Sequence, residues 1–183
     1  MLNVPNFLTL LRLMAVPVFL ILLGDRRFGE ALVVFVAAGV TDALDGAIAR
    51  LTHTKTTLGA YLDPAADKLL LLSAFISLAF LNEVPRWLTV LVISRDVVVV
   101  LGYFLLFTIT HETMEIRPTF SGKLSTFFQL GSVTMVLIEL VRPSLVPLLL
   151  EESFFYAAGL LTTTAGVQYV YRGLVWVQVR GDA

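Results

Sequence analysis

The chain contains no cysteine, which excludes disulfide cross-links and thiolate metal sites at once. Charge is also scarce. Asp, Glu, Lys and Arg make up 15% of the 183 residues, whereas 57% are hydrophobic and the mean hydropathy is +0.87. A soluble domain of this size could not cover its surface with so few charges, so the composition places the chain in a membrane. The formal net charge of −1 gives no indication of a nucleic-acid partner, and none is expected. Internal repeats, low-complexity tracts and a second domain are absent too, so residues 1–183 read as one transmembrane domain.

What is abundant is apolar sequence in lengths of a membrane span, about 20 residues each. Six such stretches predict an all-α, polytopic membrane protein with six transmembrane helices. The first follows a short interfacial start at Asn3 to Asn6 and ends at Gly24. The N-terminus lacks a basic leader and a small-residue cleavage site, and Arg12 interrupts its apolar run, so it reads as a retained element rather than a signal peptide. Further helices are expected from about Phe28 to Leu51, Leu58 to Leu81, Arg86 to Ile109, the Gly122 region to Val141, and Ser153 to Val177. Pro85, Pro118, Pro143 and Pro147 punctuate the connections. Six spans put both termini on one side. If that side is cytoplasmic, it collects Arg50, Lys55, Arg117, Lys123, Arg172 and Arg180, against Arg26, Arg27, Arg86 and Arg142 opposite, a modest positive-inside bias.

Four acidic residues stand together in the apolar background: Asp42, Asp45, Asp63 and Asp67. On a helix, residues three and four apart share a face, so Asp42 and Asp45 form one stripe, with Gly46 and Ala49 beside them and Arg50 at its end. Asp63 and Asp67 form a second stripe. The polar connection Thr52 to Thr57 lets the second helix fold back toward the first. Carboxylates crowded in a dry place raise one another's pKa, and hard divalent cations relieve that repulsion. Mg²⁺ prefers carboxylate oxygens and keeps positions open for substrate phosphates, and paired ions clamp both sides of a phosphoryl displacement. Gly46, Ala49 and Gly59 leave room for a bulky ligand to approach the backbone.

These residues follow the pattern D-x2-D-G-x2-A-R-x8-G-x3-D-x3-D, matched at Asp42, Asp45, Gly46, Ala49, Arg50, Gly59, Asp63 and Asp67. The chain thereby resembles the CDP-alcohol phosphatidyltransferases, and is most similar to eukaryotic-type cardiolipin synthases and phosphatidylglycerophosphate synthases. The resemblance implies transfer of the phosphatidyl group of CDP-diacylglycerol to an alcohol with release of CMP. It also implies two divalent cations, Mg²⁺ or Mn²⁺, on the four aspartates, with Asp67 as general base, room for cytidine at Gly46, Ala49 and Gly59, and phosphate binding by Arg50. The opening N-x-P-N-x-L-T-x-x-R, common in those synthases, places Asn6, Thr9 and Arg12 toward the site. Family members commonly form homodimers, on which this sequence is silent. The expected location is the inner (cytoplasmic) membrane of a bacterium, with the active site toward the cytoplasm.

Outside the motif, charges within spans are costly and usually functional. Arg95 and Asp96 fall near mid-helix, and two readings stand: an ion pair tying two helices, or an Arg95 that binds phosphate bidentately. Lys123 is read as an acceptor or phosphate contact in preference to a topology charge, and Lys68 as an offset for its acidic neighbours. Glu139 is placed at the interface, and Thr162 to Thr164, Gln168 and Tyr169 are read as helix-packing groups. For the acceptor, I-S-R-D-V and R-P-T-F followed by a lysine favour phosphatidylglycerol. Tyr103 stands where phosphatidylglycerophosphate synthases typically carry a further arginine, whereas the shared S-G-K keeps glycerol 3-phosphate open. Two other classes compete. A divalent-cation carrier would leave Gly46, Ala49 and Gly59 without a role and lacks a visible inverted repeat, and a passive scaffold would not need clustered carboxylates. Release of CMP from the liponucleotide separates the enzyme from both.

Overall fold

The structure is a computed structural model that describes residues 4–52, 57–110 and 119–181, with side chains described over 10–42, 66, 68–106, 108 and 119–178. Among the described residues it is all-helical: α1 (Val4–Gly24), α2 (Phe28–Thr52), α3 (Thr57–Phe80), α4 (Arg86–Thr110), α5 (Phe120–Val141) and α6 (Leu148–Gly181). The apolar runs set these lengths, and local chemistry sets the ends. Arg26 at φ 59° and Asn82 at φ 63° close α1 and α3. In each case the next residue's amide returns to a helix carbonyl five residues back, Arg27 to Leu22 and Glu83 to Leu78, which satisfies carbonyls the last turn would otherwise leave open.

Two ends differ from expectation. The first helix is already formed at Val4, because Pro5 lies in the first turn, where its missing N–H costs nothing. The last helix begins directly after Pro147 instead of near Ser153, because nothing from Leu148 to Glu152 interrupts a helix and Glu151 suits its first turn. At 34 residues, α6 is roughly 51 Å long at helical rise, more than the hydrocarbon core requires. Among the described residues, two helical stretches, Arg86–Leu106 and Phe120–Val141, are long and apolar enough to cross a membrane.

The chain divides into two compact units. The first comprises Met1–Val84 and Val133–Pro147. Within it α1 packs against both α2 and α3, and those two touch each other. Phe19, Leu23, Ala31, Phe35, Ala74, Phe75 and Leu78 are buried, and the rings of Phe19 and Phe35 lie 5.6 Å apart. Glu139, expected at the interface, sits near the end of α5 and accepts the amides of Ser144 (2.6 Å) and Val146 (3.2 Å), so its carboxylate organises the following loop.

The second unit comprises Pro85–Ser132 and Leu148–Ala183. Here α4 packs on α6. Glycines admit close approach at two points: a Cβ on Gly159 would lie 2.6 Å from the Trp87 ring, and one on Gly131 would lie 2.5 Å from Phe154. A polar triad joins α5 to α6. Gln129 Nε2 donates to Thr162 Oγ1 (2.8 Å) and to Ser125 Oγ (3.1 Å), and the Ser125 and Thr162 hydroxyls are 3.2 Å apart. Further along the same pair of helices, Ser121 donates to Gln168 Oε1 at 2.6 Å. Thr162 and Gln168 thus act as the packing groups expected, whereas Thr163 and Thr164 bond back to carbonyls of their own helix.

Because Thr162 and Ser125 are fully buried and Gln129 nearly so, Thr162→Val should cost stability without touching the chemistry. Ser125 and Gln129 keep each other as partners, so the loss falls at the low end of the range for an unmade buried bond, about 1 kcal/mol. Unfolding of the purified protein in detergent measures it, with Thr162→Ser expected near wild type. Equal stability of wild type and Thr162→Val would remove the triad as a packing device.

Candidate active site

The motif falls on two helices of the first unit. Asp42, Asp45, Gly46, Ala49 and Arg50 occupy the later part of α2, and Gly59, Asp63 and Asp67 the early part of α3. These two helices touch each other, and α1, which carries Asn6, Thr9 and Arg12, packs on both. The arrangement follows from the sequence: an apolar helix pair joined by a short polar connection must fold back, and spacings of three and four keep each carboxylate pair on one stripe. The side chains of Asn6, Thr9, Asp45, Gly46, Ala49, Arg50, Gly59, Asp63 and Asp67 lie outside the described residues, so the site's described side chains are those of Asp42 and Arg12.

Asp42 retains 37% of its side-chain exposure, and its Oδ1 is held at 2.7 Å by Nη1 of Arg12, whose own side chain is only 1% exposed. Oδ2 of Asp42 takes no hydrogen bond among the described residues. A solvent-reachable carboxylate is a hard-oxygen donor of the kind Mg²⁺ and Mn²⁺ take. Asp42 therefore fits a divalent cation. Among the described residues no group of three acidic, histidine or cysteine side chains comes together.

The second expected set lies in the second unit. Arg95 is mostly buried, and Nη1 pairs at 2.6 Å with Oδ1 of Asp96, its neighbour on α4. This contact is made along one helix. Adjacent residues point in different directions around a helix, but a long arginine can curl back to its neighbour. The cross-helix contacts of Arg95 are made by its flat guanidinium and its stem. The guanidinium lies over the Tyr169 ring at 5.4 Å, a Cβ on Gly122 would sit 3.4 Å from Nη2, and one on Gly166 would sit 3.5 Å from Cγ. Nε of Arg95 is buried and has no hydrogen-bond partner among the described residues. Lys123 is exposed in the first turn of α5, where Thr119 Oγ1 accepts the Gly122 amide. Arg95 and the residues before Lys123 thus meet at the start of α5.

Sequence reasoning missed two features. Arg12 was placed toward the site but not as the partner of Asp42; the available signal was a lone cation inside an apolar run. Gly122 and Tyr169 as the cradle of Arg95 left no local signal, since they sit on different helices.

Across residues 2–168 the chain matches the family model described as CDP-alcohol phosphatidyltransferase. It belongs to that family. Among similar proteins, the probable phosphatidylglycerophosphate synthase of Mycobacterium tuberculosis (strain ATCC 25618 / H37Rv) is 39% identical over 178 residues, covering 94% of this chain and 82% of that one. The cardiolipin synthase (CMP-forming) of Homo sapiens is 32% identical over 195 residues, covering 98% and 64%. The CDP-diacylglycerol--glycerol-3-phosphate 3-phosphatidyltransferase of Bacillus subtilis (strain 168) is 30% identical over 184 residues, covering 92% and 94%. The chain is thus an enzyme of the CDP-alcohol phosphatidyltransferase family, and the resemblance drawn from eight motif positions extends over most of its length.

Proposed function

We propose that this CDP-alcohol phosphatidyltransferase moves the phosphatidyl group of CDP-diacylglycerol to a glycerol-bearing alcohol, releasing CMP, and that residues 1–183 act as one catalytic domain in the inner membrane of a bacterium. The observation that carries this is the complete eight-position motif on the touching helices α2 and α3, inside the family match. All six helices would span the bilayer with the motif at the cytoplasmic end, where a water-soluble nucleotide head can reach it while the acyl tails stay in lipid. A homodimer is part of the same proposal.

Asp42, Asp45, Asp63 and Asp67 would hold two divalent cations, Mg²⁺ or Mn²⁺, which when bound neutralise charge on the pyrophosphate. Gly46, Ala49 and Gly59 leave space for the cytidine, Arg50 binds phosphate, and Asn6 and Thr9 line the approach from α1. Asp67 takes the proton from the acceptor hydroxyl. The acceptor oxygen then forms its bond to the phosphatidyl phosphorus in line as the bond from that phosphorus to the CMP oxygen breaks, and CMP leaves with the electron pair. Arg95 and Lys123 are assigned to the acceptor or its phosphate.

Phosphatidylglycerol is the acceptor favoured here. Tyr103 stands eight residues beyond Arg95 in place of a further cation, and Asp96 offsets part of the Arg95 charge, which suits the singly charged phosphate of phosphatidylglycerol better than a phosphate monoester. The second reading, glycerol 3-phosphate, draws on the names carried by the Mycobacterium and Bacillus relatives. Purified protein given labelled CDP-diacylglycerol is expected to release CMP and label a product with phosphatidylglycerol in preference to glycerol 3-phosphate. The reverse preference would assign the second reading, and no CMP with any alcohol would remove the transferase proposal.

A further inference from the structure

We infer that Arg12 is a positioning residue for the aspartate site: from its buried place on α1 it holds Oδ1 of Asp42 and so fixes the direction in which Oδ2 is offered to a divalent cation. This rests on the proposed role of Asp42 as a metal ligand. The two partners are unequal. Arg12 is 1% exposed and Asp42 37%, so the pair has a dry end on α1 and a wet end on α2. Apolar Leu11 and Leu13 flank the arginine, and a buried ion pair is a poor way to gain stability compared with apolar packing.

What a fixed cation at 2.7 Å does provide is orientation. The terminal torsion of an aspartate is broad and two-fold, so an untethered carboxylate must surrender that freedom when it ligates. One tied through Oδ1 has surrendered it already. Partners that orient ligating groups in this way typically set metal affinity by about 10–100-fold. One guanidinium also leaves a set of four carboxylates in excess, so the site keeps its attraction for cations.

The test measures Mn²⁺ binding to the purified full-length chain in detergent by electron paramagnetic resonance, alongside CMP release as a function of Mn²⁺. Arg12→Gln is expected to weaken Mn²⁺ binding by about tenfold, with most of kcat recovered at saturating metal. A merely structural arginine would not produce that split. Arg12→Lys keeps the charge but loses the planar fork, and should fall between Arg12→Gln and wild type. Arg12→Gln combined with Asp42→Asn should bind no more weakly than Asp42→Asn alone, because the two residues act through one carboxylate.

Wild-type Mn²⁺ affinity in Arg12→Gln, with Asp42→Asn weakened, would overturn the positioning role while the ligand role of Asp42 stands. Wild-type affinity in Asp42→Asn would remove the ligand role, and the inference with it. If Arg12→Gln does not fold, wild-type affinity in Arg12→Lys overturns the inference in its place.

Discussion

Asparagine in place of Asp67 is expected to slow phosphatidyl transfer by about 10²–10⁴-fold, the range of a general base, while leaving much of the affinity for CDP-diacylglycerol. The amide keeps an oxygen for a cation but cannot take the acceptor's proton. Asp42→Asn should behave differently. Asp42 is an α2 carboxylate with one oxygen already tied to Arg12, so its replacement weakens the hold on the cations, and through them on the pyrophosphate. A rate loss with binding retained marks an interaction used only in the transition state. The comparison is to be made at fixed free metal and across pH, since interacting carboxylates titrate as a cluster. If Asp67→Asn and Asp42→Asn lose binding and rate in the same proportion, Asp67 is one more ligand and another group is the base.

Asp63→Asn is expected to abolish turnover outright with the fold retained, and excess chelator should do the same to the wild type. Asp63 stands one helical turn before Asp67 on α3, and in the proposed site the two would share the cation pair with Asp42 and Asp45. Replacing a negative oxygen by a neutral one at such a site removes both charge and a hard ligand. Unfolding in detergent checks that the fold survives, and CMP release from CDP-diacylglycerol reads the loss. Turnover at the wild-type rate in excess chelator would exclude the divalent-cation proposal altogether.

The helices, and where most of them stop, were legible from local pattern. Gly24 ends α1 and Phe28 begins α2 as the apolar runs and breaks indicate, because a run of about 20 apolar residues and the groups that close its ends are neighbours in the chain. The aspartate motif was equally legible. Its pattern depends on spacings of three and four within single helices, and the family it points to is the one matched over residues 2–168.

Where local signals compete, the expectation slipped. The apolar pattern puts the start of the last helix near Ser153, but Pro147 followed by uninterrupted helix formers starts α6 at Leu148. Arg95 and Asp96 leave two readings open in sequence, an ion pair tying two helices or an arginine that binds phosphate, because the sequence does not show what lies beside them. The side chains met along α4, and the aromatic face of Tyr169 took the guanidinium.

Which groups meet across helices was decided by packing alone. Arg12 finds Asp42, Gln129 finds Thr162 across 33 positions, and Ser121 finds Gln168 across 47. No residue in between encodes those separations. They follow from which faces α1 presents to α2, and α5 to α6. Once apolar surfaces have chosen those faces, a buried polar group is driven to pair with whatever donor or acceptor the neighbouring helix brings within about 3 Å, because leaving it unpaired costs more than the pair itself contributes.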